Sequence, residues 1–305
     1  MLSGITVAAL LVSAPLDAQG PARFRGGVEL VSLTVTVIDA RQQFVNDLAA
    51  ANFSVLEDGV PQTVSFFGAT GVPLDLALVV DASMAGKIEM VKRAASGLVR
   101  RLHSGDRASL VEFREVISVT QPLTDGRQAV VSRLDGISPR GTTGLYDALY
   151  TLRELNRDRL DCIRRRAIVV LTDGEDTTSL ISFDDVMDLA RRSGITIYTI
   201  TLESPSDRRR FQTAAEFGMK SLADQTGARA FFPVSLREVR AIYESISAEL
   251  SSQYEIGYTS HNASLDGAWR RVVIQVTDRP GARARSRQGY YAVPGPDALS
   301  ARLQH

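Results

Sequence analysis

The sequence predicts an α/β protein: a doubly wound, mostly parallel sheet flanked by helices, joined to a β-rich domain built from N- and C-terminal segments. Three observations carry this reading. Between residues 74 and 251, apolar strands alternate with segments of helical apolar spacing, the pattern of a parallel sheet covered on both faces. Residues 28–70 and 252–294 carry short β-branched runs broken by turn signals. The chain has 305 residues, 44% hydrophobic and 23% charged, a composition that suits a globular protein of about two domains.

The elements follow in order. Ile5 to Val12 is apolar and runs into Ser13-Ala14-Pro15. Residues 1–20 therefore resemble a secretory signal, although no Lys or Arg precedes the apolar run. Export to a periplasmic or extracellular compartment is the expectation. Val28 to Ile38 is rich in β-branched residues, and Glu57-Asp58-Gly59 separates two apolar runs. Asp-Gly tolerates the positive φ of a tight hairpin. Asp75 to Val80 is a strand, Ile88 to Leu102 a helix, Ala108 to Phe113 a strand with a short one near Val116 to Val119. Leu145 to Leu155 reads as helix, Ala167 to Leu171 as a fully buried strand, and Phe183 to Arg192 as a helix ended by Gly194. Ile195 to Ile200 is a strand, Phe217 to Thr226 a helix, Arg229 to Phe232 a strand and Leu236 to Leu250 the last helix. Strands return at Tyr254 to Tyr258, Arg271 to Val276 and Gly289 to Val293, with turns at Asp266-Gly267 and Pro280-Gly281. The two β segments are expected to fold together as one sandwich, because isolated hairpins are marginal in water; two independent appendages are the alternative. Residues 295–305 read as a tail.

Charge and composition exclude several classes. The formal net charge is +0, which argues against a dedicated nucleic-acid binder. Arg164-Arg165-Arg166 and Arg208-Arg209-Arg210 read as solvated helix or loop ends. No stretch after the N-terminus reaches the roughly 18 apolar residues that a transmembrane helix needs. Cys162 is the one cysteine and has no matching His motif. His103, His261 and His305 lack triad or zinc spacing and read as surface residues.

Ligands of an open parallel sheet sit outside the carboxyl ends of its strands. Three stretches converge on that edge: Asp81-Ala82-Ser83, Gly141-Thr142-Thr143-Gly144, and Thr172-Asp173-Gly174-Glu175-Asp176. Carboxylate and hydroxyl oxygens are hard donors that suit Mg²⁺, Mn²⁺ or Ca²⁺ rather than zinc. A strand-end Asp taken singly is as well read as a helix N-cap.

Taken in order, Asp81-Ala82-Ser83, Thr143-Gly144-Leu145-Tyr146-Asp147-Ala148-Leu149 and Leu171-Thr172-Asp173-Gly174 resemble the von Willebrand factor A domain and its metal-ion-dependent adhesion site. Val35-Thr36-Val37, Phe53 to Gly59 and Gly289-Tyr290-Tyr291 resemble the flanks of bacterial exported proteins of that type. The resemblance implies a Rossmann-like fold with Asp81, Ser83, Thr143 and Asp173 as the metal set. Thr143 would be a direct or water-mediated ligand and Asp173 an outer carboxylate. Thr142 replaces Thr143 if the loop register slips by one, and Asp176 lies just past the motif. The family pattern is Asp-x-Ser-x-Ser. Without a gap, Ala85 stands where the second serine belongs; with a gap, Ser83 is the second serine and the first is lost. Either alignment leaves one hydroxyl and both aspartates, a degenerate site.

The implied function is a metal-dependent protein-binding module of adhesion or assembly type, with an unidentified protein partner that donates a carboxylate to the ion. A structural protein with a defunct metal site is the alternative. A Mg²⁺-dependent phosphate-handling enzyme is a third reading, weakened because no Gly-x-x-x-x-Gly-Lys-Ser/Thr loop appears. The chain is read as a non-enzyme.

Overall fold

The computed structural model describes residues 30–69, 71–84, 86–113, 117–139, 144–149, 164–172, 179–202, 212–233 and 235–293. The expected export signal, Cys162, Arg208-Arg209-Arg210 and the tail 295–305 lie outside the described residues.

The β-rich part begins with β1 (Leu30–Ile38), β2 (Phe53–Glu57), β3 (Val60–Gln62) and β4 (Val64–Gly68). Asp58 and Gly59 take φ of 49° and 84° between β2 and β3, which is the turn the Asp-Gly pair permits. The α/β part supplies β5 (Leu74–Asp81), α1 (Ile88–Arg100), β6 (Arg107–Phe113), β7 (Ser118–Thr124), α2 (Arg127–Asp135), α3 (Leu145–Leu149), β8 (Arg165–Thr172), α4 (Phe183–Ser193), β9 (Thr196–Thr201), α5 (Gln212–Gln225), β10 (Ala230–Phe231) and α6 (Leu236–Ser251). The chain then returns through β11 (Tyr254–Thr259), β12 (Trp269–Val276), β13 (Arg283–Arg285) and β14 (Gly289–Tyr291).

The central sheet has strand order β10-β9-β8-β5-β6-β7, and only β7 runs antiparallel to its neighbour. Every residue of β5 is buried, as expected of a parallel strand covered on both faces. Alternation divides its side chains. Leu74, Leu76, Leu78 and Val80 pack with α1, α2 and α6, whereas Ala77 and Val79 pack with α3, α4 and α5. Helix α1 earns its place by spacing: Ile88, Val91, Ala94, Ala95, Leu98 and Val99 are all buried, the i, i+3, i+4 stripe of an amphipathic helix. Helix α4 is capped at both ends. The Ser182 Oγ accepts from the Asp185 amide at 3.2 Å, and Gly194 takes φ 66° at the C-terminal end. Helix α2, with Val130, Val131 and Leu134 buried, has no counterpart in the sequence reading.

The β segments form two four-stranded sheets, β13-β1-β11-β4 and β14-β12-β2-β3. β1 and β4 come from the N-terminal segment, β11 and β13 from the C-terminal one, and the second sheet mixes them likewise. Leu33, Val35, Val37, Val55, Tyr254, Ile256 and Tyr258 fill the space between the sheets. The stretch β3–β4 borders both sheets at one side, and β13–β14 does so at the other.

The outer face of β1 meets the α/β part through polar groups. Thr34 Oγ1 donates to Glu255 at 2.8 Å, and Ser32 Oγ donates to the other oxygen of that carboxylate. Glu249, near the end of α6 and 0% exposed, accepts from Thr36 Oγ1 at 3.2 Å and from the Tyr198 hydroxyl at 2.7 Å. It also pairs with Arg229 Nε at 3.0 Å and with Arg285. The expectation that Arg164-Arg165-Arg166 is a solvated end is overturned here. Arg165 is 5% exposed and donates to the carbonyls of Val72, at 2.9 Å, and Leu250. Arg164 pairs with buried Asp75 at 2.8 Å. The run opens a strand at the edge that faces the second domain, so its charges meet protein instead of water. His103 and His261 are exposed, as expected.

Candidate metal site

Strand β5 delivers Asp81 to the carboxyl edge of the sheet, where its side chain is 0% exposed. Ala82 and Met84 turn back into the core on the α1 side, and the Ala82 amide extends the ladder to the Phe113 carbonyl at 3.0 Å. Gly86, at φ 76°, lets the chain turn sharply into α1. The loop is thereby fixed with Ser83 folded over the carboxylate. Both the amide and the hydroxyl of Ser83 donate to Asp81 Oδ1, at 2.9 and 2.6 Å.

The second oxygen of that carboxylate is used by the neighbouring strand. Thr172, the last residue of β8 and 0% exposed, donates its hydroxyl to Asp81 Oδ2 at 2.9 Å. Its own carbonyl accepts from the Leu202 amide at 2.8 Å, which holds the strand end in place. A buried carboxylate is costly unless hydrogen bonds or charge support its ionised form. Here a backbone amide and two hydroxyls, all neutral, do part of that work.

A clamp lies beside this cluster. Ser179 Oγ accepts from the amides of Tyr146 and Asp147 at 3.0 and 3.2 Å. In return the Asp147 carboxylate accepts from the amides of Leu180 and Ile181 at 3.1 Å. The start of α3, just after Thr142 and Thr143, is thus tied to the chain that follows Asp173 and Asp176. Leu180 is 95% exposed at this point.

Of the expected site residues, Asp81 and Ser83 are brought together. Ala85, Thr142, Thr143, Asp173 and Asp176 lie outside the described residues. Thr172 and Asp147 belong to the neighbourhood although the sequence reading gave them no role. Each had a signal: Thr172 is the last hydroxyl of an apolar strand, and Asp147 stands in the first turn of the helix after the threonines. Among the described residues, no three His, Cys, Asp or Glu side chains are grouped to hold a metal. No described helix is long and apolar enough to cross a membrane.

The model of the von Willebrand factor type A domain matches residues 75–244, more than half of the chain. An uncharacterized protein of Borreliella burgdorferi is 25% identical over 211 residues, covering 66% of this chain and 58% of that protein. An uncharacterized protein of Synechocystis is 32% identical over 111 residues, 34% of this chain and 26% of the relative. The match thus spans less than two thirds of either relative's length. Among solved structures, a von Willebrand factor type A protein from Catenulispora acidiphila aligns over 90% of this chain and 76% of its own, at 13% identity and a TM-score of 0.49.

Proposed function

Because the chain belongs to the von Willebrand factor type A domain family, we propose that it is a metal-dependent protein-binding module. The observation that carries this reading is the fully buried Asp81 carboxylate, framed by Ser83 and Thr172 hydroxyls at the carboxyl edge of a parallel sheet. Those are hard oxygen donors, the kind that Mg²⁺, Mn²⁺ and Ca²⁺ select. The Ser83 hydroxyl donates its proton to Asp81, and a hydroxyl oxygen is itself a hard donor to such cations.

In this reading Asp81, Ser83, Thr143 and Asp173 hold the ion, with Thr142 in place of Thr143 if the register slips. The ion supplies a positive charge able to take one oxygen from outside the chain, and the partner's carboxylate fills that position. Ala85 contributes no hydroxyl, so a water takes that place, as Mg²⁺ accepts readily. In this reading Leu180, 95% exposed, is available to touch the partner, and Asp176, just past the motif in sequence, is a further candidate contact. The chemistry is binding without turnover, and the compartment is an exported one.

Calorimetric titration of Mg²⁺ and Mn²⁺ into the protein and into Asp173→Ala tests the reading. Saturable heat that the substitution abolishes is expected. No heat at millimolar metal would sink it and leave the second reading, an interaction protein with a defunct site, which Ala85 favours.

A further inference from the structure

The Thr201 hydroxyl is buried and, among the described residues, has no hydrogen-bond partner. Thr201 is the last residue of β9 and is 4% exposed. Hydroxyls buried this deeply are nearly always paired, so an unpaired one points to a water, an ion or a ligand that completes it.

Its position says which. Thr201 is the register partner of Thr172, and Asp81 follows the paired residues Val80 and Leu171 on the next strand. Strand alternation places all three on one face. Tyr198, Ile200 and Leu202 pack on the α1 side, as do Leu171 and Val80, whereas Ile197, Val170 and Val79 pack on the α3 side. Asp81, Thr172 and Thr201 therefore form a row of oxygens across the ends of three adjacent strands, all toward the α3 side. Among the described residues, two other buried hydroxyls lack a hydrogen-bond partner, Ser96 on α1 and Tyr243 on α6. Both sit on helices that cover the opposite face, away from the Asp81 carboxylate.

We propose that Thr201 is a positioning residue of the metal site: its hydroxyl holds a water belonging to the hydration shell of an ion bound at Asp81. Two strand spacings, roughly 10 Å, separate Thr201 from Asp81, and Thr172 stands between them. Thr201 thus reaches such an ion through a water and not directly. Mg²⁺ and Mn²⁺ sites commonly keep waters, and groups that orient the ligands of an ion contribute strongly to its affinity. The inference rests on the metal-binding reading above.

The test compares wild type, Thr201→Val, which keeps the shape and removes the hydroxyl, and Thr201→Ser, which restores it. Mn²⁺ is titrated into each full chain and read by calorimetry and by water-proton relaxation. Thr201→Val is expected to bind Mn²⁺ about 10-fold more weakly, with weaker relaxation by the bound ion, and Thr201→Ser to recover both. The metal-free Thr201→Val protein should melt no lower than wild type, since it loses only an unsatisfied group. Wild-type binding with an unchanged Thr201→Val affinity and relaxation overturns the role of Thr201 alone. Absence of Mn²⁺ binding by the wild type overturns this role together with the metal-binding reading.

Discussion

The two ends of the central sheet bury polar groups in opposite ways. At the amino edge, facing the β-sandwich, Glu249 collects Arg229, Arg285, Tyr198 and Thr36, and Arg165 caps two carbonyls. Charge there meets opposite charge, and the groups act as cement between two parts of the chain. At the carboxyl edge, Asp81 is held by neutral donors, and a neighbouring hydroxyl at Thr201 has no partner among the described residues. The contrast shows two ways in which one sheet supports a buried carboxylate, by paired charge and by neutral hydrogen bonds. The first joins charge to opposite charge across two parts of the chain, and the second sets a buried carboxylate among neutral donors.

The largest expected effect breaks the cement. Glu249→Ala leaves two arginines and a tyrosine hydroxyl without their acceptor, and removing one member of a buried ion cluster costs about 3 kcal/mol. Urea unfolding followed by fluorescence should show that loss; a variant as stable as wild type would erase the distinction between the two edges.

Next comes Glu57 inside the sandwich. Burial pushes its carboxyl up, but hydrogen bonds from Ser260, Tyr258 and Tyr290 and the Arg270 charge outweigh that and hold it below the ordinary 4.5. The stability it contributes is present above pH 4.5 and is lost as pH falls through the lower folded-state value. Glu57→Gln should cost about 1–2 kcal/mol at neutral pH and flatten the acid limb of the melting profile.

Glu255 sharpens the comparison by having the opposite sign. Burial raises its carboxyl despite the bonds from Ser32 and Thr34 and the charges of Arg165 and Arg287. Its contribution is full below pH 4.5 and is lost as pH rises through the raised value. Glu255→Gln should therefore gain on wild type as pH increases, by under about 1 kcal/mol at pH 7, in thermal melts across pH 4 to 8. The smallest effect belongs to Leu180. Its exposure of 95% predicts a stability change within about 0.5 kcal/mol for Leu180→Ser, with any consequence confined to partner capture.

Much of this was legible in the sequence, for physical reasons. Strands buried on both faces, such as β5 and β8, betray themselves by continuous apolar runs, and Asp58-Gly59 announces its hairpin through backbone conformation alone. Helix α2 escaped because three apolar residues, Val130, Val131 and Leu134, are too few to reveal a period. The run at Arg164 was misread because a charge pattern does not say whether water or another domain lies opposite. Asp81 and Ser83 were readable as neighbours two positions apart. Thr201 was not, since only the register between β8 and β9 brings it level with Thr172.

The placement of the α/β part has a mechanical consequence. The chain leaves the sandwich after β4 and returns in β11, and these two strands are hydrogen-bonded neighbours. The whole α/β part is an excursion between adjacent strands. Tension entering at β1 and leaving at β14 would pass across the ladders that join β1 to β11 and β12 to β14. The excursion would stay unloaded until the sandwich gave way. The geometry around Asp81 would then be kept while the protein around it was pulled.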